Sequence, residues 1–438
     1  MATTAPYQEA PQQLPVECME HFFHGVAAPR MTSMDFSLDG LHCISTHEDD
    51  ALRWIDVVSL QHRETIRCAA AIGGVQYAAF TSSSDRMWLC PRGAADGHLY
   101  IYSASSEKVV SAIGLCDGQQ TGPSDAAHRS YKALLSPGGA LTNIAQSITT
   151  DTAAVVNAQY NSVQVVHPLV SGPVAATPPC TDGPLRRVSW SYDGMLLAVA
   201  GAARTTVFDL RKLATGPVDR IDNQNVFPLS RSSDQDHATW CEGAQFNDSS
   251  NTLLMTSRMG EAVAVSLRRR SDDTSTSSSS AAQPRPTTIV ASYLHGAARR
   301  HFMPSREDAA TMYGGYPQHT SSSSSATTNA PAVPAQFVHP HAPGGSMVAQ
   351  PAASLFSGRH LLIYECMAMD DTTIEHQRRL SFAAGDSASH QGGRLAALRY
   401  QVQFRENDLP RTMAINRRFG IVAVGAKSST WFAVRPES

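Results

Sequence analysis

No stretch of this 438-residue sequence approaches the ~18 consecutive apolar residues that a membrane-spanning helix needs, so no membrane contact is expected. The opening MATTAPYQEAPQQLP lacks a basic start and an apolar segment, and it does not read as a secretory leader. Charge of one sign is missing too. A net charge of −3 provides no basic field to gather nucleic acid, and no direct nucleic-acid contact is expected. The cysteines (Cys18, Cys43, Cys68, Cys90, Cys116, Cys180, Cys241 and Cys366) are scattered, with no Cys-x-x-Cys pair. They read as reduced, mostly core thiols of a nuclear or cytosolic protein. There is no G-x-S-x-G elbow, no Walker loop and no paired-carboxylate motif, so no catalytic residue is assigned. His339 with His341, and His376 with His390, lack further ligands at metal spacing. His21 and His24 fall on a segment read as a strand, which separates them. No metal and no cofactor is expected.

What the sequence does contain is a recurring strand pattern. Met31 to Asp56, MTSMDFSLDGLHCISTHEDDALRWID, reads as three short strands: Met31–Phe36, Leu41–Thr46 and Ala51–Asp56. Ser37-Leu38-Asp39-Gly40 is the first turn, because Asp bonds its own backbone and Gly tolerates positive φ. His47-Glu48-Asp49-Asp50 is the second, and the third strand ends Trp54-Ile55-Asp56. Strand, Asp-Gly turn, strand, acidic turn and a strand ending Trp-x-Asp is the pattern of a WD-repeat propeller blade.

The apolar end of the first strand recurs at Phe36, Phe80, Leu135, Trp190, Phe246, Phe337 and Ile415. A blade takes ~40–45 residues, so the first interval needs no insertion, the next three carry modest loops and the last two large ones. Val188 to Arg211 is the best later copy, with Asp193-Gly194 as the turn and Phe208-Asp209 in place of Trp-Asp. The expected fold is therefore all-β, a seven-bladed WD-repeat β-propeller over residues 16–438 with low-complexity loop insertions. A β-sandwich of unrelated hairpins is the alternative. Residues 1–15 read as a disordered N-terminus, and Glu17 to His24 as a strand that completes the last blade and removes its open edge. Ser- and Thr-rich tracts place one insertion at about 271–334, and a loop at about 370–393 is a second. Between the tracts, Thr288 to Leu294 reads as the outer strand of the fifth blade.

Short charged motifs flank these insertions. Arg268-Arg269-Arg270 and Arg299-Arg300 read as solvated linker charge, with a localisation signal or a phosphate contact as alternatives. Ser271, after three arginines, and Ser381, in Arg378-Arg379-Leu380-Ser381, are candidate phosphosites.

Five stretches carry a resemblance to a known family: residues 31–50, 74–81, 194–217, 236–267 and 413–438. Among them are Phe208-Asp209-Leu210-Arg211 followed by Gly216-Pro217, Asp236 and Trp240 before the fifth blade, and Trp431-Phe432 near the end. Together they resemble the WD repeat-containing protein 82, or Swd-two, family of propellers. The third blade and the insertions depart from the family pattern. The resemblance implies a nuclear, non-enzymatic scaffold, a monomeric propeller within a hetero-complex. It implies two assemblies: the PNUTS–protein phosphatase type-one complex acting in RNA polymerase II transcription termination, and a Set-type histone methyltransferase complex in chromatin regulation. A substrate receptor of a cullin-type ubiquitin ligase, and an enzyme using the central channel, are the alternatives from other classes. Loops leading into first strands, and loops between second and third strands, gather at one end of such a ring. They hold the expected partner-binding residues: Arg30, Asp49, Asp50, Asp96, His98, Arg187, Arg204, Asp236 and Trp240.

Overall fold

Short strands, the inner ones carrying apolar side chains on both faces, fold into antiparallel meanders. The structure is a computed structural model. It describes residues 12–13, 18–22, 31–59, 61–67, 74–92, 98–115, 141–157, 161–227, 240–247, 249–258, 261–267, 288–292, 333, 336–338, 347–354, 358–365, 394–395, 398–404, 412–416, 418–419, 421–425 and 429–433. The strands among them form seven sheets.

The first sheet is Met31–Phe36, His42–His47, Ala51–Asp56 and Gln61–Arg67. The second is Val75–Phe80, Arg86–Pro91, His98–Ser103 and Lys108–Gly114. The third is Leu141–Gln146, Ala153–Asn157, Ser162–Val166 and Pro173–Ala176. The fourth is Leu185–Trp190, Leu196–Gly201, Arg204–Asp209 and Asp219–Asp222. The fifth is Cys241–Phe246, Thr252–Ser257, Ala262–Ser266 and Thr288–Ser292, with Arg394–Leu395 added in parallel at its edge. The sixth is Gln336–Val338, Met347–Ser354, Gly358–Glu365 and Leu398–Phe404. Gln12–Gln13 pairs in parallel with its outer strand, inside the segment read as disordered. The seventh is Thr412–Asn416, Ile421–Gly425 and Ser429–Ala433, completed by Cys18–Phe22. Cys18 pairs with Ala433 and Phe22 with Ser429, which is the expected N-terminal closing strand. The two insertions lie almost entirely outside the described residues.

Among the described residues the inner strands of the first five sheets are covered on both faces, and the core is a series of clusters, each between two neighbouring sheets. In the second sheet, Met87 and Leu89 pack with Ile44, Leu52 and Trp54 of the first. Trp88 and Cys90, one residue out of phase, pack with Val155 and Val166 of the third. That is the period of two expected of a strand buried on both faces. Each such side chain contributes roughly 1.5–3 kcal/mol of burial. The seventh sheet packs on the first through Ala414, Ile421 and Ala423 against Met34, Phe36 and Cys43.

The turns between first and second strands repeat in atomic detail. Ser37 Oγ donates to Asp39 Oδ1 (2.6 Å), which also accepts from the Leu41 amide (2.9 Å), and Gly40 sits at φ +71°. Ser191 Oγ donates to Asp193 Oδ1 (2.5 Å), the Met195 amide does so at 3.0 Å, and Gly194 also sits at φ +71°. Burial raises the Asp39 carboxyl, but the Ser37 hydroxyl and Leu41 amide outweigh it, and the group lies below its ordinary range. Asn416 joins the last sheet to the first here: its Nδ2 donates to the Gly40 carbonyl at 2.7 Å.

The third sheet corrects the sequence reading. Its first strand is Leu141–Gln146, not a strand ending at Leu135, and its first turn is 147–152, although the sequence offers Ser136-Pro137-Gly138-Gly139 as a turn directly after Leu135. The turn holds itself with hydroxyls in place of glycine: the Thr150 amide donates to Ser147 Oγ (3.3 Å), and the Ser147 amide to the Thr152 carbonyl (2.9 Å). The sheet is otherwise a regular four-stranded meander.

Candidate functional site

The first strands of all seven sheets line one central channel of about 520 Å³. In the first five sheets these strands share a β-bulge at the same place. Met31 and Ser33 pair with the adjacent residues His47 and Thr46, so Thr32 is the extra residue. The same shift falls between Val75 and Tyr77, Leu141 and Asn143, Leu185 and Arg187, and Cys241 and Gly243. A bulge re-aims the residue after it. It sets Ser33, Tyr77, Asn143, Arg187 and Gly243 at one level, and all five line the channel. Ser33 is engaged with Thr46 at 2.7 Å. Asn143 spends its Oδ1 on the Val188 amide, 3.1 Å away. Burial pushes the Tyr77 hydroxyl up from its ordinary range, so it stays protonated.

The channel placement of Arg187 corrects the sequence reading, which put it on a loop. The bulge carries it from the strand entry into the lining.

The other residues expected at this end of the ring are mostly engaged within it. Asp49 holds Arg53 at 2.7 Å. Burial raises its carboxyl and the Arg53 guanidinium lowers it more, for a net downward shift. Asp50 takes a left-handed φ of 60° and meets Arg92 at 3.5 Å. Arg92 also donates to the carbonyls of His47 and Glu48, both at 2.9 Å, clamping the second sheet onto the turn of the first. Arg204 pairs with Asp182 at 3.2 Å. His98 opens the third strand of the second sheet, half-buried, its ring 6.2 Å from that of Tyr100. Trp240, one of the expected partner-binding residues, is half-buried, with the Arg186 guanidinium 4.7 Å and the Arg258 guanidinium 5.5 Å from its ring. Both cations lie within cation–π range of the indole. Arg30, Asp96, Asp236, Ser271 and Ser381 lie outside the described residues.

The opposite end of the ring is not singled out by the sequence. Its turns expose Leu38 (43%), Leu41 (36%), Tyr192 (49%), Met195 (43%) and Phe419 (44%). All five are on turns between first and second strands, and Leu38 and Tyr192 line the channel mouth there. Val58, Leu169 and Val170, on turns between third and fourth strands, are exposed at the same end.

No family model and no characterised protein matches the sequence. Among solved structures, the β-propeller domain of Cps50 (Swd1) from Myceliophteria thermophila superposes with a TM-score of 0.53. It covers 95% of this chain and 99% of that one at 8% identity. The fold is a WD-repeat β-propeller.

At that identity the likeness concerns the propeller alone. Among the described residues no group of three His, Cys, Asp or Glu is placed to hold a metal ion, and no helix is long and apolar enough to cross a membrane. The propeller's Tyr77, Asn143 and Arg187 level escapes a reading of the sequence, since a bulge has no fixed residue signature. Its exposed apolar turns are legible in principle. Leu38, Tyr192 and Phe419 stand beside turn residues that caps hold in place.

Proposed function

We propose that this chain is a non-enzymatic WD-repeat scaffold subunit of a nuclear assembly, and that partner subunits dock on the ends of its ring. The observation that carries this reading is the gathering of exposed apolar side chains on the turns at one end. Large apolar residues exposed together around a channel mouth mark interaction surfaces. Leu38, Tyr192, Met195 and Phe419 supply the apolar anchor. The charged turns at the other end, with Asp49, Asp50, His98, Arg204 and Trp240, form a second, orienting contact.

The resemblance to the Swd-two family supports two partner sets. The PNUTS–type-one phosphatase complex in RNA polymerase II transcription termination is the first reading, and a Set-type histone methyltransferase complex is the second. Affinity purification of the tagged full chain decides between them by the subunits that co-elute. Leu38→Asp combined with Phe419→Asp is expected to abolish recovery of those subunits while the protein still unfolds cooperatively. Arg204→Glu with Trp240→Ala is expected to weaken it. Recovery by a folded Leu38→Asp/Phe419→Asp protein refutes the apolar surface. A parent chain that recovers neither phosphatase nor methyltransferase subunits refutes the assignment.

A further inference from the structure

The bulged level of the channel has a chemical character of its own. Tyr77, Asn143 and Arg187 come from the second, third and fourth sheets, which are consecutive around the ring. Each occupies the same position after the same bulge, and each lines the channel. All three present donors. The Arg187 guanidinium makes no hydrogen bond or ion pair among the described residues. Neither does the Tyr77 hydroxyl. Asn143 uses its Oδ1 on the Val188 amide, so Nδ2 is the atom left over. None of these three groups is sealed away from the channel space, since each lines it. The neighbour on the fifth sheet is Gly243, which adds no side chain at that level. Glu242, one residue before it, is buried and paired with Arg258 at 3.9 Å, and its charge also reaches the Tyr77 hydroxyl. Among the lining residues the carboxylate is Asp35, further along the channel, which accepts from the Phe80 amide at 2.9 Å.

Three unspent donors at one level, one of them a permanent cation, constitute a site for an oxyanion. We propose that the channel binds a carboxylate or phosphoryl group on the side chain of an acidic peptide, held by Arg187, Asn143 Nδ2 and the Tyr77 hydroxyl. The channel volume of about 520 Å³ admits a side chain and its flanking backbone, not a folded domain. The anion enters from the end where the first strands begin, since the bulged level lies close to the strand starts. This site is separate from the apolar end used under Proposed function, so either assignment stands or falls without the other.

The test uses the full chain and four probes by calorimetry: inorganic phosphate, and one octapeptide carrying phosphoserine, glutamate or alanine at its centre. The phosphoserine and glutamate peptides are expected to bind, the alanine peptide at least tenfold more weakly. Inorganic phosphate competing with either peptide would place the anion itself in the site. Phosphoserine binding without glutamate binding assigns the phosphoryl source, and the reverse assigns the carboxylate. Arg187→Gln is expected to weaken binding at least tenfold, and Arg187→Lys to restore part of it. Asn143→Asp keeps the acceptor for the Val188 amide but sets a negative charge beside the anion, and is expected to abolish binding. Tyr77→Phe keeps the ring and loses a smaller factor of about threefold. All variants are compared at unchanged melting behaviour. Equal affinity for the alanine peptide, equal binding by a folded Arg187→Gln protein, or no binding of any anionic probe overturns the proposal.

Discussion

Asn416 closes the ring between residues far apart in sequence, and its removal has a calculable cost. The side chain is 1% exposed. Its Nδ2 donates to the Gly40 carbonyl at 2.7 Å, and its Oδ1 accepts from the amides of Arg418 and Phe419, both at 3.2 Å. In Asn416→Ala the buried Gly40 carbonyl loses its donor, a penalty of about 1–3 kcal/mol. The two amides belong to exposed residues and recover water, so their loss adds less. A total of about 2–4 kcal/mol follows. Asn416→Asp separates the donor from the acceptors. Its carboxylate still accepts from the two amides but brings a second oxygen against the Gly40 carbonyl. The neutral acid donates there instead, so folding raises this carboxyl above its unfolded value of about 3.9. The sign then runs one way: the penalty of Asn416→Asp is least at low pH and grows as pH rises from the unfolded value toward the raised folded one. Urea unfolding of the full chain, followed by tryptophan fluorescence at pH 7 and pH 5, measures both variants against the parent. An Asn416→Ala protein within about 0.5 kcal/mol of the parent, the range of a surface substitution, refutes the closure argument. So does an Asn416→Asp protein no worse than Asn416→Ala at pH 7.

Three further outcomes are expected. Gly194→Ala forces a non-glycine residue to φ +71° and drives its Cβ into the Thr149 hydroxyl, so thermal unfolding should fall by the equivalent of roughly 1–3 kcal/mol, whereas Gly172→Ala, with open space around it, should be near neutral. The hydrogen bond from the Arg211 side chain holds the Asp209 carboxyl below its ordinary value, so its contribution is present above the unfolded pKa and lost as pH falls through the lower folded one. Asp209→Asn should therefore lower the urea midpoint at pH 7, with the gap to the parent closing below about pH 4, the unfolded value. Burial pushes the Cys90 thiol up to about 12 and Cys241 to about 11, and Cys43 is raised as well, while Cys180 is only half-buried. Under native labelling with a thiol reagent, peptide mapping should find Cys180 modified before those three.

The sequence is most legible where one residue does one backbone job. Asp39-Gly40 and Asp193-Gly194 announce their turns because positive φ favours glycine and an Asx carboxylate caps the next amides. Six first strands can be placed from the apolar residue that recurs at their ends. The third cannot, because Ser147 and Thr150 do with hydroxyls what glycine does elsewhere, while Ser136-Pro137-Gly138-Gly139 offers a stronger but misplaced signal. Outer strands are legible only in part: Pro173–Ala176 has too little pattern in four residues. The functional residues are harder still. Simple alternation puts Leu185 and Arg187 on one face, and only the extra residue between them turns Arg187 into the channel. Trp240 shows a different limit: nothing in the sequence tells that the guanidinium groups of Arg186 and Arg258 lie over its ring.

The closing pair of strands has a mechanical consequence. Cys18 lies opposite Ala433, and Phe22 opposite Ser429. A load applied across residues 18 and 433 therefore acts at one end of the ladder and peels it one rung at a time. It does not shear all rungs together. If the scaffold is tethered at both ends, tension opens the ring at this seam while the interleaved cores of the other sheets stay packed. The ring then behaves as a clasp whose release is set by force, separately from the stability that heat or urea measures.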